Sequence, residues 1–171
     1  MRAIGIRAYD DHGAMAVFRD LDPHDLAEAQ IVRGEDATHL ALFADWRAMR
    51  PAWIASHVLT ARGQPFAVLA VSHTGQAGVA QAAFLSRDHR RFRTAIARAA
   101  VMIRAGMPGW AVEHGIRRIE ARCWGGHPTA PDFLYAIGFT PECAMSGFGP
   151  DGRAEFAQYA FIPSQESTPC A

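Results

Sequence analysis

Apolar residues recur along the chain with two spacings, and the switches between them divide it into elements. Residues 14–20, Ala-Met-Ala-Val-Phe-Arg-Asp, read as a strand. Residues 21–30 read as a helix: Asp22 is a favoured N-cap, Pro23 suits the first helical position, and Asp25 sets negative charge at the positive end of the helix dipole. A second helix over 36–50 carries Leu40, Phe43 and Trp46/Arg47 at three- and four-residue spacing and stops at Pro51. Three strand-like runs follow at 53–60, 65–72 and 78–86, separated by Arg62-Gly63-Gln64 and by the turn residues of 73–77, and they predict an antiparallel meander.

Phe92, Ile96, Ala99/Ala100 and Ile103 mark the core-facing stripe of a helix over 89–105, with a break at Gly106-Met107-Pro108-Gly109 and a short turn over 110–114. Residues 116–123 read as a strand, 128–137 as a short helix led by Pro128 and ended by Gly138-Phe139, and 142–148 with 154–161 as strands flanking a turn at 149–152. The polar stretch 163–171 reads as a flexible tail. The predicted order β-α-α-β-β-β-α-β-α-β-β has no internal repeat and no linker. It predicts one α+β domain over 1–171, with a mixed, mostly antiparallel sheet and helices on both faces.

Composition narrows the chemistry. Half of the 171 residues are hydrophobic, enough for a chain of this length to bury its own core. All seventeen basic residues are Arg and they balance seventeen acids, so no global field draws the protein to nucleic acid or anionic membrane, and nucleic acid is not an expected partner. The absence of Lys removes Schiff-base and P-loop lysine chemistry. No apolar run approaches the roughly 18 residues of a membrane span, and the first ten residues lack a signal-peptide core, so a cytoplasmic location is expected. Cys123, Cys143 and Cys170 are odd in number and widely spaced, with no metal-knuckle pattern; no metal site is expected.

One cluster stands out. Arg87, His89, Arg90, Arg91 and Arg93 crowd a helix start opposed only by Asp88, although a helix N-terminus is already positive, and the arrangement points to an anion such as phosphate. The alternative is that Asp88 caps the helix while the arginines fan into solvent or pair with the acids of a partner.

His127-Pro-Thr-Ala-Pro-Asp-Phe-Leu-Tyr-Ala-Ile-Gly-Phe139 resembles the Asn-x-x-Ala-x-x-x-Tyr-x-x-x-Gly-Phe signature of the GNAT superfamily of acyl-CoA N-acyltransferases, with Ala130, Gly138 and Phe139 in register. The Arg-bearing opening that runs into an Asp-led helix and the closing Gly-x-Asp-Gly hairpin are similar to the same superfamily, over about residues 14–162. The pattern also resembles small GNAT-like proteins of tailed bacteriophages, some of them virion components.

The resemblance implies an acetyl-CoA-dependent N-acetyltransferase transferring its acyl group directly to an amine acceptor, with acetyl-CoA as co-substrate. It implies that backbone groups of Ala82, Ala83, Phe84 and Leu85 pair with the pantetheine arm. It aligns Arg90, Arg91, Arg93, Thr94 and Ala95 with the phosphate-binding Arg/Gln-x-x-Gly-x-Gly/Ala motif, where Arg93 replaces a glycine that lets backbone approach phosphate. Leu134 stands at the position of the superfamily's catalytic Tyr, with Tyr135 turned about 100° away. His127 stands at the Asn position and is the candidate acid or pantetheine contact, or else a helix cap.

Glu120, Glu113 and His57 are the candidate bases, Glu120 being flanked at strand spacing by Arg118 and Arg122 as an ordinary ion pair would be. Cys123 and Cys143 read as buried, inert thiols. The degraded motif and missing Tyr also fit a catalytically silent GNAT-fold binding or structural protein. A contact module for RNA or DNA using the same arginines is the weakest of the alternatives. The final hairpin leaves a homodimer or protein partner open, and the acceptor carries no recognisable code.

Overall fold

The computed structural model describes residues 4–34 and 36–163. Its elements are β1 (Ile4–Ala8), α1 (Asp11–Arg19), α2 (Pro23–Arg33), α3 (His39–Ala48), β2 (Trp53–Ala61), β3 (Gln64–His73), β4 (Val79–Ser86), α4 (His89–Glu113), β5 (Arg118–Trp124), α5 (Ala130–Ile137), β6 (Thr140–Phe148) and β7 (Ala154–Phe161). The seven strands form one sheet in the order β1-β2-β3-β4-β5-β7-β6. Every pairing is antiparallel except β4 with β5. The α+β architecture with helices on both faces is the expected one.

Alternation along the strands decides which helix covers which face. Val58 and Val68, opposite one another in β2 and β3, pack with Ala14, Val17 and Phe18 of α1 and Leu42 and Trp46 of α3. Their neighbours Leu59 and Ala67 point the other way, onto Phe92 and Ala99 of α4. Further along that second face, Ile119, Ala121 and Cys123 of β5 meet Ala100 of α4 and Leu134 and Ile137 of α5. No helix among the described residues is long and apolar enough to cross a membrane.

Two elements differ from the sequence reading. Residues 14–20 are not a strand: α1 covers 14–19 and Asp20 is its C-cap, its N-cap Asp10 accepts from the Gly13 amide at 2.7 Å, and the first strand is Ile4–Ala8. Ala14, Val17 and Phe18 are all buried, a three- and four-residue spacing that a seven-residue window does not separate from a strand. Three helices therefore follow the first strand.

The second difference is at 106–109. Helix α4 runs unbroken through Pro108. Ile103, Met107, Trp110 and Ala111 keep the apolar stripe in phase against the core, and that burial offsets the roughly 3 kcal/mol a helical proline costs. Elsewhere the expectations hold: Asp22 caps α2 with Pro23 in its first turn, and Gly138 ends α5 in the left-handed region at φ 99°. The expected tail lies outside the described residues except for Pro163, which is buried.

Candidate functional site

The one parallel pairing creates an opening. β4 and β5 are paired only from Val79–Arg118 to Gln81–Glu120, and beyond that they diverge. A cavity of about 320 Å³ fills the gap, lined by Ala82–Ser86 of β4, by Ala121, Arg122 and Cys123 of β5, and by facing residues of α4 and α5. Its walls are mostly apolar; Phe84 stacks on Phe133 with ring centroids 4.5 Å apart. Backbone at a splayed strand edge together with an apolar wall suits a narrow ligand with a peptide-like arm.

Polar groups converge at one end of this cleft. An isolated bridge between Leu21 and Arg87, with the Asp22 amide donating to the Ser86 carbonyl at 2.9 Å, ties the start of α2 to the end of β4. Asp25 and Glu28, one turn apart on α2, thereby face the cleft. The Asp25 carboxylate accepts from the Ser86 amide at 2.8 Å and from Nε2 of His127 and of His89 at 3.0 and 3.1 Å. Glu28 accepts from the Trp124 amide at 3.0 Å, where β5 ends.

Burial opposes charge on Asp25, but the hydrogen bonds from His127, His89 and Ser86 outweigh it and hold the carboxyl below its ordinary value. Asp22 is lowered in the same way, its burial outweighed by the amides of His89 and His24. Burial would lower His89, yet the bond to Asp25 and the charges of Asp25, Asp22 and Asp88 raise it, so the imidazolium is favoured. Glu28 goes the other way: burial, only partly countered by the Trp124 amide, pushes its carboxyl up. Two carboxyls on one helix face are thus held in opposite senses, the pattern that separates a fixed anion from a proton acceptor.

His127 is buried, and its Nδ1 accepts from the amides of Ala130 and Thr129 at 3.0 and 3.3 Å. The helix-capping alternative is the one the geometry displays, and the ring proton therefore sits on Nε2, directed at Asp25. Asp25, His89 and His127 also lie close enough to share a metal ion. They do not fit one: a ligating Nε2 needs its proton moved to Nδ1, where two amide N–H groups already point.

The arginine-rich run is dispersed by helical geometry. α4 starts at His89, so residues 90–95 lie inside the helix and not in a loop before it. Arg93 alone of the six lines the cleft, while Arg91, Thr94 and Ala95 line a separate cavity. Arg87 pairs with Asp20 at 2.6 Å, and Arg90 is exposed. Asp88 caps the helix by accepting from the Arg91 amide at 2.9 Å, and Asp22 accepts from the His89 amide at 2.7 Å.

Ala82, Ala83, Phe84 and Leu85 all line the cleft, as does Leu134, whereas Tyr135 points into solvent. Glu120 does not: it binds Arg118 at 2.7 Å, which also grips Glu142, and Arg122 turns to Gln158 at 3.1 Å. His57 faces the Arg7 carbonyl, and Glu113 is exposed at the far end of α4. Cys123 is buried and its thiol is pushed up to about 11, chiefly by burial, but Cys143 is exposed, against expectation. Cys170 lies outside the described residues.

Sequence reasoning missed Glu28 and the Asp22/Asp25/His89 cluster. The available signal was Asp22-x-x-Asp25-x-x-Glu28 at one-turn spacing, which capping and the helix dipole had already explained locally.

No protein-family model matches the chain, and no curated protein matches it in sequence. Solved structures match it closely in shape. A GNAT-family acetyltransferase from Bacillus anthracis is 12% identical over 96% of this chain and 98% of its own, with a TM-score of 0.65. The ribosomal-protein-S18-alanine N-acetyltransferase from Escherichia coli is 12% identical over 99% of both chains, with a TM-score of 0.63. The protein yncA from Salmonella typhimurium, a candidate acetyltransferase solved with its cofactor acetyl-CoA, is 12% identical over 99% of both chains, with a TM-score of 0.66. At such identities the likeness is one of fold, and the chain has the GNAT fold.

Proposed function

We propose that this protein is an acyl-CoA-dependent N-acyltransferase that moves an acetyl group from acetyl-CoA directly to an amine acceptor. The observation that carries the reading is the cleft between β4 and β5: apolar along its walls, bordered by backbone of Ala82–Leu85 that has no ladder partner on the β5 side, and ending at a half-buried carboxyl whose affinity for protons is raised. A fold shared with acetyltransferases supports it.

In this reading the thioester arm runs along β4 and Arg93 faces the cofactor's negative charge. The acceptor enters as an ammonium ion and gives a proton to the Glu28 carboxylate. The freed nitrogen attacks the thioester carbon, a C–N bond forms, the C–S bond breaks, and the electron pair leaves on the CoA sulfur, which takes up a proton. Asp25 and His127 act as positioning residues, fixing the start of α5 against the end of β4. His127 is not the acid, because its one N–H is committed to Asp25.

The test is acetyl-CoA turnover against a panel of primary amines, comparing wild type with Glu28→Gln. Loss of a base is worth roughly 10²–10⁴ in rate, so kcat should fall at least a hundredfold while KM for acetyl-CoA stays put. Unchanged kcat in the variant would remove Glu28 from the mechanism.

A second reading, a GNAT-fold protein that binds a partner without acyl transfer, is favoured by one feature. Carboxylates of Asp22 and Asp88 already occupy the His89 and Arg91 amides at the start of α4, where an acyl-CoA phosphate would look for donors.

A further inference from the structure

The positive charge that the sequence concentrates around α4 is divided between two sides of that helix. Arg91, Thr94, Ala95 and Arg98 follow the i, i+3, i+4, i+7 spacing of a single helix face. They line a cavity of about 380 Å³ on the side away from the cleft, closed by Arg62 and Gln64 at the β2–β3 turn and floored by Ile4, Ala61 and Phe92. Three guanidinium groups border it, and none of the described residues lining it is an acid.

One of those arginines is placed at a cost. β2 and β3 are joined by Arg62-Gly63 alone, Ala61 pairing directly with Gln64. Both turn residues have positive φ, 53° and 76°. Asn or Asp is the usual first residue of such a turn, because a long L side chain in the left-handed region is disfavoured. The turn nonetheless sets a guanidinium at the cavity wall. Arg91 is held on the opposite wall by Gln64, whose Oε1 accepts from its Nη2 at 3.0 Å, and by the Phe92 ring 5.2 Å beneath it. Neither Arg62 nor Arg91 is ion-paired with a carboxylate among the described residues.

A concave site with like charges on its rim and an apolar floor is complementary to a molecule carrying the opposite charge at one end and an apolar group at the other. We propose that this cavity binds an organic phosphate, its phosphate held by Arg62 and Arg91 with the Thr94 hydroxyl in reach, and its apolar portion seated on Ile4 and Ala61. The site is separate from the acyl-transfer cleft and does not depend on the reading of that cleft.

Phenyl phosphate is the probe, followed by amide chemical-shift mapping on the full chain, with inorganic phosphate as the comparison. Saturable shifts are expected at Arg62, Gly63, Gln64 and Thr94, with Ala82–Ser86 unmoved. One charge-assisted contact is worth about tenfold in affinity or more, so Arg62→Asn, which suits the turn and keeps the fold, should weaken binding by at least that factor. Thr94→Val should weaken it by a smaller factor. No saturation up to about 10 mM would overturn the proposal, since that corresponds to almost no specific binding. So would shifts confined to Ala82–Ser86, an unweakened Arg62→Asn, or equal affinity for inorganic phosphate.

Discussion

Replacing Asp25 with Ala removes an acceptor that three donors share. Ser86, His127 and His89 converge on this carboxylate at 2.8–3.1 Å, and Asp25 and Ser86 are 7% and 1% exposed, so all three donors lose a largely buried charged acceptor. Hydrogen bonds to a charged group are worth about 1.5–3 kcal/mol each, which would sum to roughly 4–9 kcal/mol if they were independent. They are not, because one carboxylate serves all three and its own burial costs several kcal/mol in return.

Breaking a buried charged pair typically costs about 3–5 kcal/mol; His89 keeps Asp22 as a second partner, so the lower end, about 3 kcal/mol, is expected. In urea unfolding that loss lowers the midpoint by roughly 1–3 M at unchanged m. Asp25→Asn retains one acceptor oxygen and should lose about half as much. A loss below about 1 kcal/mol for Asp25→Ala would refute the reasoning, since the carboxylate would then contribute no more than a surface group.

Three further outcomes follow from the same geometry. His89 is raised above 6.5, so its contribution to stability is complete below that pH and is lost as pH rises through its folded value; Asp22 and Asp25 are lowered below 3.8, so theirs is complete above 3.8 and is lost as pH falls. Urea midpoints measured across pH should therefore fall at low pH as Asp22 and Asp25 are protonated and fall above 6.5 as His89 loses its proton, with Glu28, raised above 4.5, adding a decline of its own above that pH, and Asp25→Asn should flatten the Asp25 and His89 limbs. Gly138→Ala forces a side chain into φ 99° and sets a Cβ 3.3 Å from Nη1 of Arg104, so a loss of about 1–2 kcal/mol is expected in the same assay. Glu120→Gln should leave any acetyl-CoA turnover within about twofold of wild type, because its carboxylate is spent on Arg118 outside the cleft.

The fold was legible wherever local signals agreed. Asp22-Pro23 announced α2, Gly138 closed α5, and Arg62-Gly63-Gln64 placed the β2–β3 turn, which the structure narrows to Arg62-Gly63. It was misread where a short run suited two periods, as at Ala14–Val17–Phe18, and where tertiary burial overrode a breaker, as at Pro108. The β4 half of the cleft was readable because it is a continuous run, Ala82 to Leu85. The acidic half was not, because the Asp25/Glu28 pair, His89 and His127 are far apart in the chain and meet only when Leu21 bridges Arg87. The arginine run was seen as one cluster since sequence does not display the angular dispersal that sends Arg93 and Arg91 to opposite sides of α4.

The most direct test of the acyl-transfer account is calorimetric titration of the protein with acetyl-CoA, with desulfo-CoA as control and Arg93→Ala in parallel. The account predicts saturable micromolar binding, weakened about tenfold by the loss of one guanidinium facing the cleft. No binding at millimolar acetyl-CoA would contradict it and leave the cleft to a GNAT-fold protein that does not transfer acyl groups.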